Sequence, residues 1–435
     1  FESNLQYSYD GDIAKQFFYA DAAGIWSGNY LNWLTMRRMD VVRKVLVGGK
    51  VRDRNGESIG GNTWYVLEGQ HEPLDYTFRK SYSNSSAYSA FANDDEVLIS
   101  EGKFALTTGS GATIVKLSDF VEVGKISIDR DTDDDDGDGV ENSNWHSVSF
   151  KNIYLAAPIV VAGALSYNGS NETIARVRNV TTTGFEVHLE EWDYLDGNHT
   201  TEDVVFVVAA DTSLTTHTIS VDGTSYKVAA GKVSSFSHKV YSSSATQTIN
   251  YGTTFSAVPV VFSGVSTDND DMPVLTRQNN IGTSSFGLGL QEEEAEGTNS
   301  HSSEDIHWIA IEKLHGISDV SNVAIEINNT SHSVTDSWYT ESFTASLFRA
   351  APMVMVNTQT LAGTDTAVPR YGNTGVTTSG FDVKMEEEIS ADTEKTHVAE
   401  TIGYLALETN VCYNIRLGLS AEPTGIIQEN SGSLR

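Results

Sequence analysis

Three stretches of the chain repeat one order of short apolar runs, and this repetition constrains the fold more than any single motif. Each copy has a phenylalanine, a proline, an apolar run, an arginine, a Gly-Phe or Ser-Phe strand ending in acidic residues, and a His-x-x-Glu segment before a last apolar strand. The prolines Pro158, Pro259 and Pro352 are 101 and 93 residues apart. A unit of about 100 residues with several short strands is the size of a small antiparallel sandwich.

The predicted fold class is mainly β, with three tandem antiparallel β-sandwich modules of six to eight strands after a smaller mixed α/β segment. The predicted boundaries are 1–104 for the mixed segment, 105–212, 213–312 and 313–410 for the sandwiches, and 411–435 for a C-terminal strand or tail returning to the N-terminal segment. Alternate residues of the second marker strand are expected to face the core of each sandwich, namely Phe185, Val187 and Leu189, Phe286, Leu288 and Leu290, and Phe381, Val383 and Met385.

The His-x-x-Glu segments are the most conspicuous polar feature of the repeats. They start at His199, His301 and His397, and acidic runs that end at Glu191, Glu294 and Glu388 precede them. We expect both to lie at one end of a hairpin, where they pair with each other, with the repeat's arginine or with loop backbone. A ligand or metal contact at that rim is the alternative. Zinc is disfavoured because a third close ligand is missing, and catalysis because every copy carries the feature.

Composition excludes several classes of protein. The 435 residues include 28 Lys and Arg against 59 Asp and Glu, a net charge of −31, which argues against nucleic-acid binding. A single cysteine, Cys412, excludes an intrachain disulfide framework. We expect no membrane span, because no apolar run approaches about 18 residues, and the start at Phe1 without a signal peptide suggests processing or a piece of something longer. Nucleotide-binding and nucleophile motifs are missing, so we expect no enzyme.

An aspartate-rich loop in the first repeat predicts a calcium site. The stretch 129–142 reads DRDTDDDDGDGVEN, and carboxylates on alternate residues followed by glycine are typical of loops that bind Ca²⁺ through six to eight oxygens. The loop resembles the short calcium loops of thrombospondin type 3 segments more than an EF-hand. Position 12 of an EF-hand loop is a glutamate, and here that position is Trp145. The predicted ligands are Asp134, Asp136, Asp138, the Val140 carbonyl and Asn142, with Glu141 as an alternative to the last; a solvated acidic loop is the other interpretation.

The N-terminal segment carries a long signature. Apolar residues at helical spacing predict a helix that ends at Gly48 and Gly49; they are Leu31, Leu34, Met39, Val42, Val45 and Leu46. The stretch 25–50, IWSGNYLNWLTMRRMDVVRKVLVGGK, resembles the signature of PilY/PilC-type proteins, the type IV pilus tip adhesin and assembly factors. The tail 413–435 resembles a later stretch of that family. The D-x-S-x-S metal motif of the family is missing, so its metal site is not carried over.

The repeats also resemble H-type lectin modules, in which a Phe…Pro-x-Val strand, an internal arginine and a Gly-Phe-x-Val strand form a small sandwich. That resemblance implies N-acetylgalactosamine-like ligands, often with trimeric assembly. The candidate ligand-binding residues at the rim are Arg178, Trp192, Tyr194, His199, Arg277, His301, Arg370 and His397.

These features predict an extracellular adhesin segment at a bacterial cell surface or pilus tip. Its expected partners are surface glycans or a host or abiotic surface, and pilus or other surface-filament subunits; homo-oligomerisation stays open. The alternative function is a structural or filament-forming protein in which the sandwiches are spacers or polymerisation modules. A glycan-processing enzyme is the third and least favoured class.

Overall fold

A computed structural model of the chain describes most of the residues. They are 1, 3–10, 17–35, 50–59, 62–68, 77–89, 96–100, 103–106, 112–130, 144–212, 216–240, 246–270, 272–296, 301–321, 323–330, 333–409, 413–414 and 416–420. The predicted calcium ligands Asp134 to Asn142, the second half of the predicted N-terminal helix, Cys412 and the tail 421–435 lie outside the described residues.

The chain forms two compact units. The first comprises Phe1–Thr107 and Asn410–Arg435, and the second comprises Thr108–Thr409. The first unit begins with β1 (Gln6–Asp10), β2 (Phe17–Ala20), β3 (Trp26–Ser27), α1 (Gly28–Thr35), β4 (Lys50–Ile59), β5 (Asn62–Glu68), β6 (Thr77–Ser81), β7 (Glu96–Ser100) and β8 (Lys103–Leu106).

In its described residues, the second unit contains three repeats of seven strands each. Repeat 1 has β9 (Thr113–Lys116), β10 (Val121–Arg130), β11 (His146–Ser149), β12 (Ile159–Ala162), β13 (Thr173–Arg178), β14 (Gly184–Glu191) and β15 (His199–Ala209). Repeat 2 has β16 (His217–Val221), β17 (Thr224–Phe236), β18 (Gln247–Asn250), β19 (Val260–Val265), β20 (Leu275–Asn279), β21 (Ser285–Gln291) and β22 (Glu304–Ile311). Repeat 3 has β23 (Leu314–Ile317), β24 (Ala324–Asn329), β25 (Tyr339–Ser342), β26 (Met353–Thr358), β27 (Ala367–Tyr371), β28 (Gly380–Glu387) and β29 (Ile402–Leu407).

Two last strands, β30 (Tyr413–Asn414) and β31 (Arg416–Ser420), belong to the first unit. One sheet of that unit has the order β3-β1-β2-β31-β5-β4 and the other the order β30-β8-β7-β6, so β31 lies between β2 and β5. The predicted N-terminal helix is present over Gly28–Thr35, and Leu31 and Leu34 of its apolar face are fully buried.

Each repeat is an antiparallel sandwich, which confirms the predicted fold class. The four-stranded sheets have the orders β12-β15-β10-β9, β19-β22-β17-β16 and β26-β29-β24-β23, and the three-stranded sheets β11-β14-β13, β18-β21-β20 and β25-β28-β27. The predicted inward-facing residues all lie in the three cores; Phe185, Phe286 and Phe381 are each no more than 3% exposed. Alternation of apolar and polar residues was therefore sufficient to orient these strands.

The hairpin predicted for the acidic run and the His-x-x-Glu segment is wrong. In repeat 1 the acidic run ends β14 in the three-stranded sheet, whereas His199 opens β15 in the four-stranded sheet. β14 pairs with β11 and β13, while β15 pairs with β10 and β12, so the chain crosses from one layer of the sandwich to the other. The two polar segments still meet, because this crossover keeps them at the same end of the sandwich.

The three sandwiches close on one another rather than forming an open row. The edge strands β12, β19 and β26 each contact a neighbouring repeat through hydrogen bonds. The Val160 N–H donates to His307 Nδ1 at 3.0 Å, the Val261 N–H donates to Gln359 Oε1 at 3.0 Å, and the Ala164 N–H donates to the Val356 carbonyl at 3.2 Å. These bonds join repeat 1 to 2, 2 to 3 and 1 to 3. We call the arrangement the three-repeat ring.

Closure of the three-repeat ring protects exposed strand edges, since unpaired backbone groups on an edge strand invite pairing with other chains. It also buries an apolar cluster shared by all repeats. Ile174, Leu275 and Val368 occupy the same position in each repeat, two residues before an arginine, and they pack together with Trp192 and Leu195. Trp192 is consequently only 2% exposed.

A close glycine–aromatic contact inside repeat 2 gives a test of the sandwich packing. A methyl group at Gly231 would lie 2.6 Å from Trp308 Cζ2, and Gly231 pairs directly with Trp308 across β17 and β22. We expect Gly231→Ala to lower the free energy of unfolding by about 1–3 kcal/mol through overpacking. Gly282→Ala, whose added methyl group meets its nearest neighbour at 3.5 Å, is the matched control. Equal denaturation midpoints for the two variants would contradict this packing.

Candidate functional site

Each junction between repeats is held by an arginine that is completely buried. Arg176, Arg277 and Arg370 are 0% exposed, although a guanidinium group keeps its charge under all ordinary conditions. Each donates to one side chain of its own repeat: Arg176 to Glu190 at 2.9 Å, Arg277 to Gln291 at 2.6 Å and Arg370 to Glu386 at 3.0 Å. These partners are the first residues of the acidic runs, or the glutamine that precedes the run in repeat 2.

The second partner of each arginine is the glutamate of a His-x-x-Glu segment in another repeat. Arg176 donates to Glu304 at 2.7 Å, Arg277 to Glu400 at 2.9 Å and Arg370 to Glu202 at 2.8 Å. Repeat 1 therefore contacts repeat 2, repeat 2 contacts repeat 3, and repeat 3 contacts repeat 1. All three glutamates are 0% exposed. The glutamate of each His-x-x-Glu segment is thus the acceptor of an ion pair between repeats.

Loop backbone completes the coordination of these glutamates. Glu202 accepts hydrogen bonds from the backbone N–H groups of Asn168 and Gly169, at 2.8 and 2.7 Å, and from the Ser166 hydroxyl. Equivalent bonds surround Glu304 and Glu400, where Thr267 and Thr360 supply the hydroxyl groups. Such charge-assisted bonds offset the cost of burying a carboxylate.

The histidines lie between these glutamates and the residue that follows each arginine's partner in the same repeat, namely Glu191, Glu292 and Glu387. His199 Nδ1 lies 2.8 Å from Glu191 Oε1, and His397 Nδ1 lies 2.7 Å from Glu387 Oε2. The predicted pairing of the His-x-x-Glu segments with the acidic runs is thus confirmed in repeats 1 and 3. His301 differs: its Nδ1 is 3.6 Å from Glu292, which instead accepts from Lys239, and 3.3 Å from Asp270.

The pKa values follow these contacts. Burial would raise the pKa of Glu400, but the His397 hydrogen bond and the Arg277 charge outweigh burial and lower it to about 2. Burial would lower the pKa of His199, but its bonds to Glu191 and Glu202 raise it above the usual value. For His301 burial prevails and the pKa is lowered, since Glu292 and Asp270 compensate only partly.

The position that follows Glu191, Glu292 and Glu387 forms a second set of contacts, which we call the axial cap. Glu293 of repeat 2 accepts backbone N–H bonds from residues 193 and 194 of repeat 1. Glu388 of repeat 3 accepts the Glu294 N–H of repeat 2 at 2.6 Å. In repeat 1 this position is Trp192, which has no acceptor, and the Tyr194 hydroxyl accepts the Ile389 N–H at 3.3 Å instead. Each residue of the acidic run therefore has its own structural partner.

The structure places Arg176, and not Arg178, at the position equivalent to Arg277, which corrects the arginine assigned to repeat 1. Arg176 and Arg178 lie on the same face of β13, because they are two residues apart. Arg178 is 30% exposed and pairs with Glu186 and Asp268. Sequence spacing contains the correct signal: Arg176 and Arg277 both stand nine residues before the marker phenylalanine.

The other predicted ligand-binding residues are mostly inside the three-repeat ring. His199, Arg277, His301, Arg370, His397 and Trp192 are all at most 6% exposed, and Tyr194 is 36% exposed. The polar contacts of the buried histidines and arginines, described above, are mainly with glutamates of the repeats. Ligand binding by these residues stays a prediction.

One acidic group that sequence reasoning missed has metal-binding geometry. Oxygens of Asp365, Glu387 and Glu394 all lie within 4.8 Å of one another, and among the described residues this is the one such group. Oxygen donors of this kind suit a hard cation. Asp365 stands 22 residues before Glu387 and Glu394 seven residues after it, and this irregular spacing matches no known metal motif.

Removing a junction arginine tests whether the buried pairs hold the repeats. We expect Arg277→Ala to lower the free energy of unfolding of the second unit by about 3–5 kcal/mol, because it leaves the Glu400 charge buried without its partner. Arg178→Ala, at a half-exposed pair, is the matched control and should cost about 1 kcal/mol or less. Guanidinium denaturation measures both. Similar losses for the two variants would contradict a special role of the buried pair.

The lowered pKa of Glu400 gives a pH dependence with a definite sign. Its pKa falls from the ordinary 4.5 to about 2 in the folded chain, so the stability that it contributes is present above pH 4.5 and is lost as the pH falls towards 2. The difference in unfolding free energy between the wild type and Glu400→Gln should therefore shrink across this window. Urea denaturation at several pH values measures it, and a constant difference would show that Glu400 does not titrate as described.

The described part of the chain contains no helix that is long and apolar enough to span a membrane.

Comparison with known proteins locates the chain among its relatives. Residues 1–118 match the family described as "PilY1 homolog, small alpha/beta domain". Halomucin of Haloquadratum walsbyi is 29% identical over 269 residues, which cover 59% of this chain and 3% of halomucin. A type IV pilus biogenesis factor PilY1 homolog of Xylella fastidiosa is 30% identical over 129 residues, 27% of this chain and 8% of that protein.

The chain thus spans less than a tenth of the length of either relative. No solved structure matches. The lectin resemblance of the repeats stays a prediction, whereas the resemblance of the N-terminal signature is confirmed. Residues 1–118 match the small alpha/beta domain of PilY1 homologs and a pilus factor matches as well, so the N-terminal domain of the chain is of the PilY1 type.

Proposed function

We propose that the chain is an extracellular segment of a surface- or pilus-associated attachment protein, and that the three-repeat ring is the part that makes the attachment. The observation that carries this proposal is the closed cycle of buried pairs Arg176–Glu304, Arg277–Glu400 and Arg370–Glu202. It turns three small sandwiches into one rigid body with several presented faces. The relatives, a pilus biogenesis factor and halomucin, support a location at the cell surface.

Rigidity favours attachment because a preformed surface loses little conformational entropy on binding. The buried histidines and arginines would set the shape of the ring, while half-exposed residues beside them would meet the ligand. Tyr194 and Arg178 are the best exposed of the predicted contacts. Surface glycans are the expected ligand class, with a host or abiotic surface as the other.

A structural role is the second candidate. Its support is the halomucin match, in which sequence related to this chain makes up only 3% of a much longer protein. Modules embedded in so long a chain would act as spacers or as polymerising units. Electron microscopy of the purified chain separates the candidates, since regular polymers would favour the structural role.

A glycan array probed with the full chain tests attachment. We expect binding to at least one glycan class, reduced when Tyr194 is replaced by alanine at the half-exposed end of the axial cap. Val320→Ala, at an exposed aliphatic residue of another loop, is the control and should leave the pattern unchanged. Binding to no glycan on the array would favour the spacer role.

Calcium binding by the aspartate-rich loop is a separate proposal. We expect isothermal titration with Ca²⁺ to show a site that is lost in the double variant Asp134→Asn/Asp136→Asn and kept in Asp392→Asn, an exposed acid outside the loop. Saturating calcium should then raise the stability of the wild type by about 2–3 kcal/mol at about a hundredfold excess over Kd. An unchanged titration in the loop variant would contradict calcium binding by the loop and would favour the acidic group of Asp365, Glu387 and Glu394 as the site.

A further inference from the structure

The first unit presents a row of exposed aromatic side chains that the ring does not involve. Trp33 on α1 and the tyrosines Tyr82 and Tyr88 are 41%, 40% and 41% exposed. The aromatic rings of Trp33 and Tyr82 are 5.7 Å apart between centroids, and those of Tyr82 and Tyr88 are 6.2 Å apart. We call these three side chains the aromatic strip. Contiguous exposed aromatic groups on a folded domain usually mark a binding surface.

The aromatic strip is fixed in place by buried contacts. Tyr30, which is 6% exposed, contacts both Trp33 and Tyr82, and its hydroxyl donates to Ser85 Oγ at 3.2 Å. The Ser27 N–H donates to the Tyr88 carbonyl at 2.8 Å, and the Tyr88 N–H donates to the Ser85 carbonyl at 3.0 Å. The strip is therefore ordered before any ligand arrives, which lowers the entropic cost of binding.

Charge around the aromatic strip differs from that of the whole chain. The segments 26–35 and 77–89, which carry the strip, contain no aspartate or glutamate, although the net charge of the chain is −31. The ammonium group of Lys80 lies 5.1 Å from the centroid of the Trp33 ring. The stretch 81–89, SYSNSSAYS, consists of five serines, two tyrosines, one asparagine and one alanine. The stretch 81–89 contains no charged residue, and it suits an uncharged partner with many hydroxyl groups.

We propose that the aromatic strip binds a neutral carbohydrate chain. Aromatic faces accept the C–H surfaces of sugar rings, and the phenol, serine and asparagine groups around them exchange hydrogen bonds with sugar hydroxyls. A protein partner is the less favoured occupant, because serine is depleted at protein–protein interfaces whereas it surrounds the strip. The inference goes beyond the proposed function, since it concerns the first unit and not the three-repeat ring.

Affinity electrophoresis of the full chain through gels that contain dextran, laminarin or galactomannan tests the inference. We expect retardation by at least one of these neutral polysaccharides, with Trp33→Ala and Tyr88→Ala each weakening the interaction at least about tenfold. Trp33→Phe keeps an aromatic face and should retain most of the binding, which separates lost stacking from lost folding. Phe120→Ala removes a 48% exposed aromatic side chain of the second unit and is the matched control.

Three outcomes would overturn the inference. Polysaccharide binding that survives both alanine variants would place the sugar site elsewhere and leave the proposed attachment by the ring intact. No retardation of the wild type by any of the three polysaccharides would exclude a neutral sugar on the strip. Sedimentation that shows a dimer in the wild type and a monomer in Trp33→Ala, without an effect on sugar binding, would make the strip a contact between two copies of the chain.

Discussion

The buried contact between an arginine of one repeat and a glutamate of another governs the architecture of the second unit. A guanidinium group with no exposed surface is tolerated only where a carboxylate and further acceptors surround it. Each repeat supplies the arginine to one neighbour and accepts an arginine from the other. Removing any one repeat would break two of the three pairs between repeats. The three sandwiches are therefore interdependent in a way that tandem domains on flexible linkers are not.

Buried ion pairs do not by themselves make a protein more stable than well-packed apolar residues would. Their contribution here is better understood as specificity. Apolar contacts such as those of Ile174, Leu275 and Val368 would tolerate several relative orientations of the sandwiches, whereas the fixed fork of a guanidinium group accepts few. The axial cap adds a second directional constraint at the same end. Together they define one closed arrangement among the many that three similar modules could adopt.

Encoding the ring in one chain allows its junctions to differ. Gln291 replaces a glutamate beside Arg277, Lys239 takes the place of a histidine at Glu292, and Trp192 occupies the position of Glu293 and Glu388. A ring built from three identical chains would carry each such change three times. Because its three junctions can differ in sequence, a single chain can use one junction for structure and another for binding a ligand. The proposed attachment role depends on such differences.

The local part of this architecture was predictable and the long-range part was not. Period-two alternation oriented Phe185, Phe286 and Phe381, and proximity in sequence indicated that His199 and His397 pair with acidic runs. The sequence did not predict the layer crossover between β14 and β15, because a hairpin and a crossover have the same local pattern of apolar and polar residues. Arg176 and Arg178 share one face of a strand, so only comparison of spacing with Arg277 distinguishes them. That Glu202 meets an arginine 168 residues away follows from ring closure, which no local pattern encodes.

A double-mutant cycle on Arg370 and Glu202 measures whether the first and third repeats close the ring. The variants Arg370→Met, Glu202→Gln and their combination are compared with the wild type by denaturation of the full chain. A closed ring predicts a coupling free energy of about 1–3 kcal/mol between these two positions. A coupling within about 0.5 kcal/mol of zero would show that the repeats form an open row, and would contradict the account.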